Sequence, residues 1–275
     1  MKLEYIVDQD EMMLKDYIIL KGISKSLARK IKLYGKMYIN GEESKNYFLV
    51  KKGDKVTLEY NEVLNSDILI NDEDLDIRYE DDHILIVNKR KNLATQPSRL
   101  HQFDNLISLV KSYFIKQGIN TNIHLVNRLD YSTSGLVIIA KDGYTHNELS
   151  KIDITKKYYA LVRGHLDKPS DTINLKIGRV VEHNIKRWVM ENGKESITKY
   201  NVIKEYDDYS LVDIELLTGR THQIRVSFAY LLHPLLGDKL YGEGEDLKLC
   251  CYYIKFINPF DNKTIEISIK PNWVE

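Results

Sequence analysis

Cysteine is nearly absent: the only two, Cys250 and Cys251, stand side by side and cannot build a disulfide framework. Such a chain suits a reducing compartment. A metal signature is missing too, since neither a Cys-x-x-Cys nor a His-Glu-x-x-His spacing occurs and the eight histidines are scattered. Gly242 and Gly244 form no phosphate loop, because no Gly-x-x-x-x-Gly-Lys pattern exists. No apolar run approaches the roughly 18 residues that cross a bilayer, and no signal peptide is read at the start. Together these absences predict a cytoplasmic protein with no membrane partner, no metal and no small-molecule cofactor.

Net charge is also lacking, with 40 basic residues against 40 acidic ones. Spread evenly, that balance would argue against a nucleic-acid partner. It is not spread evenly. Residues 1–60 carry 12 Lys/Arg against 9 Asp/Glu, residues 61–82 carry 1 against 9, and residues 83–275 carry 27 against 22. An acidic connector therefore separates two basic bodies. At 275 residues the chain suffices for one large domain, or one large and one small.

What is present begins with a compact pattern over residues 14–60. Ser24 is placed as an N-cap, Leu27, Ala28 and Ile31 form an apolar stripe at helical spacing, and Gly35 is placed to end the helix. Lys25, Arg29, Lys32 and Lys36 line up on the opposite side. Between residues 14 and 36 there are seven basic residues and the single acid Asp16, which fits phosphate contacts better than self-pairing. Met37 to Ile39 reads as a strand running into an Asn40-Gly41 hairpin turn, and Gly53-Asp54 supplies another turn before a strand from Lys55 to Tyr60. The acidic residues of 61–82 are expected to keep the connector extended and away from RNA.

The densest chemistry lies between His124 and Ala140. Leu136 to Ala140 is a short continuous apolar run, suited to a strand buried on both faces. Ser132, Thr133, Ser134 and Gly135 precede it as turn formers whose hydroxyls can bind nearby backbone, so the loop carrying Asp130 is expected to be ordered. On its own, an Asp in such a turn is more often a turn cap paired with Arg128 than a catalyst. Further along, Lys156 to Gly164 reads as a strand, and a second strand ends at Thr218-Gly219. The helix that follows carries Ile224, Phe228, Leu231 and Leu232 on one face. Asp104 is read as the cap of a helix with Leu106, Val110 and Tyr113 inward. Lys186, Arg187 and Trp188 suit either an RNA-facing hairpin or a solvated turn.

Arg128-Leu129-Asp130-x-x-Thr133-Ser134-Gly135 resembles the signature loop of the RluA-type pseudouridine synthases, which isomerise uridine to pseudouridine within RNA. Three further stretches are similar to the same family. Tyr79 to Lys89 resembles its opening motif, with Arg90 and Asn92 standing where Pro and Gly are usual. Lys156-x-Tyr158-x-Ala160-x-Val162-x-Gly164 matches its tyrosine strand. Gly219-Arg220-Thr221-His222-Gln223-Ile224-Arg225 is a nearly complete third motif, with Ser227 in place of a usual His and Asn127 departing likewise in the first.

The resemblance implies an α+β catalytic domain over 81–275, built on a mixed, mostly antiparallel sheet flanked by helices. It implies Asp130 as the catalytic carboxylate, Tyr158 as the ring that stacks on the target base, and Arg220 as the charge partner of Asp130. Arg128, Thr133, His222, Gln223 and Arg225 are the expected substrate contacts. Residues 1–60 resemble the alpha-L RNA-binding module that often precedes this domain, with Lys25, Arg29, Lys32 and Lys36 as its RNA-binding face and 61–80 as linker. Large-subunit ribosomal RNA or transfer RNA is the implied partner, bound by a monomer.

Asp130 has two routes open to it: attack on the sugar C1′, or removal of the C2′ proton to give a glycal. Desolvation under a stacked base disfavours a charged carboxylate, and an arginine partner opposes that penalty. The target uridine must first leave its stack, and Arg128 is placed to fill the gap. Two rival readings stand beside this one. The first is a non-catalytic RNA-binding protein. The second is a serine hydrolase using Ser134, His222 and Asp238, weakened by the absence of Gly-x-Ser-x-Gly.

Overall fold

The computed structural model describes residues 1–62, 64–181 and 185–274. Alternating apolar residues and two glycine turns lay out its first part. Strands β1 (Lys2–Ile6) and β2 (Met12–Met13) lead into helices α1 (Leu14–Leu20) and α2 (Lys25–Tyr34). These are followed by β3 (Gly35–Ile39), β4 (Glu42–Ser44), β5 (Leu49–Val50) and β6 (Lys55–Tyr60). The order β1-β6-β3-β4 forms one antiparallel sheet, and β2 pairs with β5.

Local signals account for most of these elements. Ser24 caps α2, its hydroxyl accepting from the Leu27 N–H at 3.2 Å. Leu27 and Ile31 are buried against the module's own core, each contributing roughly 1.5–3 kcal/mol. Asn40 and Gly41 take φ of 51° and 88°, the paired left-handed geometry that lets a two-residue turn follow the twist of its strands. Lys36 departs from the expected pattern. The helix ends at Tyr34, so Lys36 belongs to β3 and pairs with Glu43 at 3.3 Å rather than extending the basic face of α2.

The connector is docked rather than held extended by self-repulsion. Glu62 accepts from the backbone N–H of Asn122 and Gly143 and meets His124 at 2.9 Å. Glu73 pairs with Arg90, Asp72 with Lys116, and Glu80 with Lys141, so cations of the following domain neutralise the acidic run. Within the expected connector, β7 (Ile77–Glu80) already pairs with β8 (Ile84–Lys89).

The second part continues with α3 (Leu106–Lys116), β9 (His124–Leu125), β10 (Ser134–Ala140), α4 (Gly143–Leu149), β11 (Thr155–Arg163) and β12 (Ser170–Gly178). It closes with β13 (Trp188–Val189), β14 (Lys194–Glu205), β15 (Tyr209–Leu216), α5 (Gln223–Tyr230), β16 (Leu249–Ile257) and β17 (Thr264–Ser268). Eleven strands form one sheet in the order β13-β12-β14-β15-β11-β16-β10-β8-β7, with β9 on β10 and β17 on β16. Among the described residues only the β10–β16 pair within it is parallel, and the mixed α+β architecture is the expected one.

Two local expectations fail. Asn105, not Asp104, caps α3, accepting from the Ser108 N–H while its own amide binds the turn before it. Leu232 lies beyond α5 at φ 67° and is 86% exposed, so it takes no part in the helix's apolar face.

The run Leu136–Ala140 is wholly buried at the centre of the larger core, which makes β10 the rigid post beside which the site is built. Gly135 opens it at φ 117°, and a Cβ there would meet the Cys251 carbonyl at 2.3 Å. Only glycine lets β10 lie this close to β16.

Candidate active site

The loop from Val126 to Thr133 is pinned at several points, which fixes where Asp130 stands. Asn127 extends the β9–β10 pairing with its side chain: Oδ1 accepts from the Ile138 N–H at 2.7 Å and Nδ2 donates to the Leu136 carbonyl at 3.2 Å. Thr95 brackets the peptide before Asp130, its hydroxyl donating to the Leu129 carbonyl at 2.6 Å and accepting from the Leu129 N–H at 3.3 Å. The Thr133 N–H closes the turn on the Asp130 carbonyl at 3.1 Å. The loop is ordered as expected, but by Asn127 and Thr95. The Thr133 hydroxyl is buried without a partner among the described residues, and the Ser134 hydroxyl turns to β16, reaching the Leu249 carbonyl at 3.5 Å and the Cys250 thiol.

Beneath the loop, Lys89 ends β8 almost fully buried. Its ammonium donates to the Leu93, Arg90 and Tyr131 carbonyls at 2.8, 3.0 and 3.4 Å. Burial pulls it down to about 7, while the nearby charge of Asp130 favours the protonated form. In the sequence Lys89 is marked only by its place at the end of an apolar strand.

Asp130 lies in an open cleft of about 1270 Å³, between its own loop, β11 and the start of α5. Arg225, on the first turn of α5, brings Nη1 to 3.9 Å from Oδ2 of Asp130. Its other guanidinium atoms hold Asp238, with Nε at 2.8 Å and Nη2 at 2.6 Å from the two carboxylate oxygens. Burial pushes the Asp238 carboxyl up. The Arg225 fork and the Leu240 and Tyr241 N–H groups outweigh it and hold Asp238 below its ordinary range.

Arg220 does not pair with Asp130. Its Nε donates instead to the Glu195 carbonyl at 2.9 Å, and it stands exposed on the cleft wall. The reason is the turn before α5: five residues separate Arg220 from Arg225, and the tight bend at His222, with φ 57°, sends only the helical arginine to the acid. Gln223 is likewise spent inside the protein. Its carbonyl accepts from the Arg220 N–H and Thr218 hydroxyl, and its amide donates to the Ile197 carbonyl and Thr198 hydroxyl, so its polar atoms hold the turn before α5 to β14.

His222 places Nε2 at 3.9 Å from Asp130 Oδ2 and Nδ1 at 2.9 Å from the Tyr241 hydroxyl. The Arg187 N–H donates to that same hydroxyl at 2.7 Å. Burial lowers the pKa of the ring, against the nearby charge of Asp130, and so favours its neutral form.

Tyr158, on β11, is 6% exposed at the cleft floor. Burial, with the Cys251 thiol and the Asp130 carboxylate adding to it, drives its phenol well above the ordinary value. Its neighbour Tyr159 points to the other face and stacks on Tyr252 at 3.7 Å, as strand alternation requires. Arg128 is exposed at the mouth, with Nη1 at 3.2 Å from the Gln96 side-chain oxygen.

The walls carry Arg128, Lys156, Arg179, Arg187, Arg220 and Arg225 against the acids Asp130 and Asp153. Such a surface accepts a polyanion. Arg179 was missed as a site residue because no motif marks it, and Lys156, although it opens the tyrosine-strand motif, was given no role there; the end of β12 and the placement of β11 bring them to the cleft. The hydrolase triad is not assembled, since Ser134 faces Leu249, Asp238 is closed on Arg225, and His222 meets Asp130.

Comparison with known proteins agrees with this geometry. Residues 83–230 match the RNA pseudouridylate synthase family. The chain is 37% identical over 264 residues to the uncharacterized RNA pseudouridine synthase YjbO of Bacillus subtilis, covering 92% of this chain and 93% of that protein. It is 32% identical to an uncharacterized RNA pseudouridine synthase of Aquifex aeolicus, covering 94% and 89%. Among solved structures it is similar to human RNA Pseudouridylate Synthase Domain Containing 1, with a TM-score of 0.60 and 27% identity, covering 74% of this chain and 86% of that one. The chain therefore belongs to the RluA-type RNA pseudouridylate synthases, and by that membership is an RNA-modifying isomerase.

Proposed function

We propose that Asp130 is the carboxylate that drives the isomerisation, in a uridine of large-subunit ribosomal RNA first and of transfer RNA second. The single observation that carries this reading is the convergence on Asp130 of one buried arginine and one buried histidine, each with a nitrogen 3.9 Å from Oδ2. In the overall change the C1′–N1 bond breaks, the base turns, a C1′–C5 bond forms, a proton leaves C5 and one is gained at N1. Whether Asp130 attacks C1′ or takes the C2′ proton, it acts as an anion, and Arg225 supplies the opposing charge.

Tyr158 holds the flipped base by its ring. Its phenol stays protonated through the neutral range, so the hydroxyl serves as a hydrogen-bond donor and leaves proton removal from C5 to another group. Arg128, at the mouth, fills the gap the uridine leaves. Lys25, Arg29 and Lys32 of the first 60 residues bind RNA phosphates and bring the substrate to the cleft. The protein acts as a monomer.

Asp130→Asn tests the reading. The variant should bind RNA like the wild type and form no pseudouridine, measured by tritium release or by chemical mapping. Unchanged conversion would remove Asp130 from the mechanism. Pseudouridine maps of cellular RNA with and without the gene identify the target uridine.

A further inference from the structure

We propose that Tyr47 and Phe48 form a stacking platform for unpaired bases of the substrate RNA, next to the basic groove of the N-terminal module. This rests on the reading of that module as RNA-binding and adds to it a contact with bases where only phosphate contacts were expected.

Tyr47 is 62% and Phe48 45% exposed, with ring centroids 5.2 Å apart and planes at 88°. Neither ring enters the module's core, where Val50 supplies the buried residue of this segment. The segment is fixed by backbone instead: the Leu14 N–H donates to the Phe48 carbonyl and the Lys15 N–H to the Asn46 carbonyl, both at 2.8 Å. Met13 and Leu49, paired on β2 and β5, continue the apolar surface at 40% and 54% exposure. The fold thus holds two aromatic rings at the surface on a pinned backbone, packed on each other and not on the module's core.

The surroundings select the occupant. Residues 44–53 contain Lys45, Lys51 and Lys52 and no acid. Asp54, just beyond, is engaged locally, accepting from the Asn40 amide and the Lys51 N–H. Lys15, Lys45 and Lys52 make no ion pair among the described residues. Asn46, the residue before Tyr47, lines a groove of about 240 Å³ between α1 and α2, together with Lys15, Lys25, Arg29 and Lys32. A second copy of the chain would bring like charges together across this surface. Aromatic rings flanked by unpaired cations match a single strand, whose bases stack while its phosphates meet the lysines.

The test uses the full chain and the double variant Tyr47→Ala/Phe48→Ala. The probes are a labelled single-stranded oligouridine of about 12 nucleotides and an RNA duplex of the same length. With both stacks lost, affinity for the single strand should fall about thirtyfold or more. Affinity for the duplex should change less than twofold. A Phe48→Trp variant should show indole quenching on addition of oligouridine. No loss on the single strand, equal loss on both probes, or an unquenched indole would each overturn the platform. So would a wild-type dimer that the double variant abolishes, which would assign the patch to self-association. Pseudouridine formation is assayed in parallel: a wild type that binds oligouridine through these rings yet makes no pseudouridine leaves the platform standing and fails only the catalytic assignment.

Discussion

Arg225 closes a two-point fork on the buried carboxylate of Asp238, at 2.8 and 2.6 Å, and this leaves Nη1 as the atom that faces Asp130. Asp238 thereby orients the guanidinium and offsets its burial, so that a cation can be kept in the floor of the cleft. The arrangement explains why a lysine could not serve: one ammonium does not fill both directions in a fixed plane.

The two arginines of the third motif can be separated by substitution. Arg225→Lys should lower kcat about 100-fold or more, the usual loss when one fixed electrostatic donor is removed, and should also destabilise the fold by leaving Asp238 half-satisfied. Arg220→Ala should raise KM a few-fold with kcat little changed, because its guanidinium sits on the cleft wall with the Glu195 carbonyl. Single-turnover rates against RNA concentration distinguish these outcomes; a kcat loss for Arg220→Ala matching that of Arg225→Lys would return the pairing role to Arg220.

Asn127 gives a second prediction. Asn127→Ala leaves the Ile138 N–H and Leu136 carbonyl without their side-chain partners, at a cost of about 1–3 kcal/mol by urea denaturation. The loop that carries Asp130 loses its tie to β10, so kcat should fall while RNA affinity stays within twofold. If affinity dropped and kcat held, Asn127 would be a substrate contact rather than a positioning residue.

Lys89 predicts a pH dependence of stability. Burial lowers its folded-state pKa from 10.5 to about 7. Below about 7 the lysine is charged in both folded and unfolded chains, and the burial penalty is fully present. Between about 7 and 10.5 the folded state has shed the proton while the unfolded chain keeps it, so stability rises with pH across that window. The rise attributable to Lys89 is up to roughly 4 kcal/mol, reduced by the carbonyls that favour the ammonium. Lys89→Met should flatten that part of the curve in denaturant titrations from pH 7 to 10. Parallel curves for the two proteins would show that Lys89 remains protonated throughout.

The sequence by itself determined those features that short-range chemistry dictates. Ser24 capped α2 because a hydroxyl before a helical stripe satisfies its free N–H groups. Asn40-Gly41 made the hairpin because few other pairs accept two positive φ values. The Leu136–Ala140 run made the central strand, and the motifs around Asp130, Tyr158 and Gly219–Arg225 brought those residues to one cleft.

Tertiary structure alone decided which groups meet within that cleft. Arg220 and Arg225 are chemically alike and five residues apart, and the bend at His222 with the counter-charge of Asp238 selects between them. Asn127 and Thr95 hold the loop that carries Asp130 because β9 lies along β10 and because residue 95 is folded against residue 129, contacts that no local pattern encodes. The acidic connector is pinned for the same reason. Its charges are repulsive only until Arg90, Lys116 and Lys141 of the next domain come within reach, and their positions depend on how the whole sheet closes.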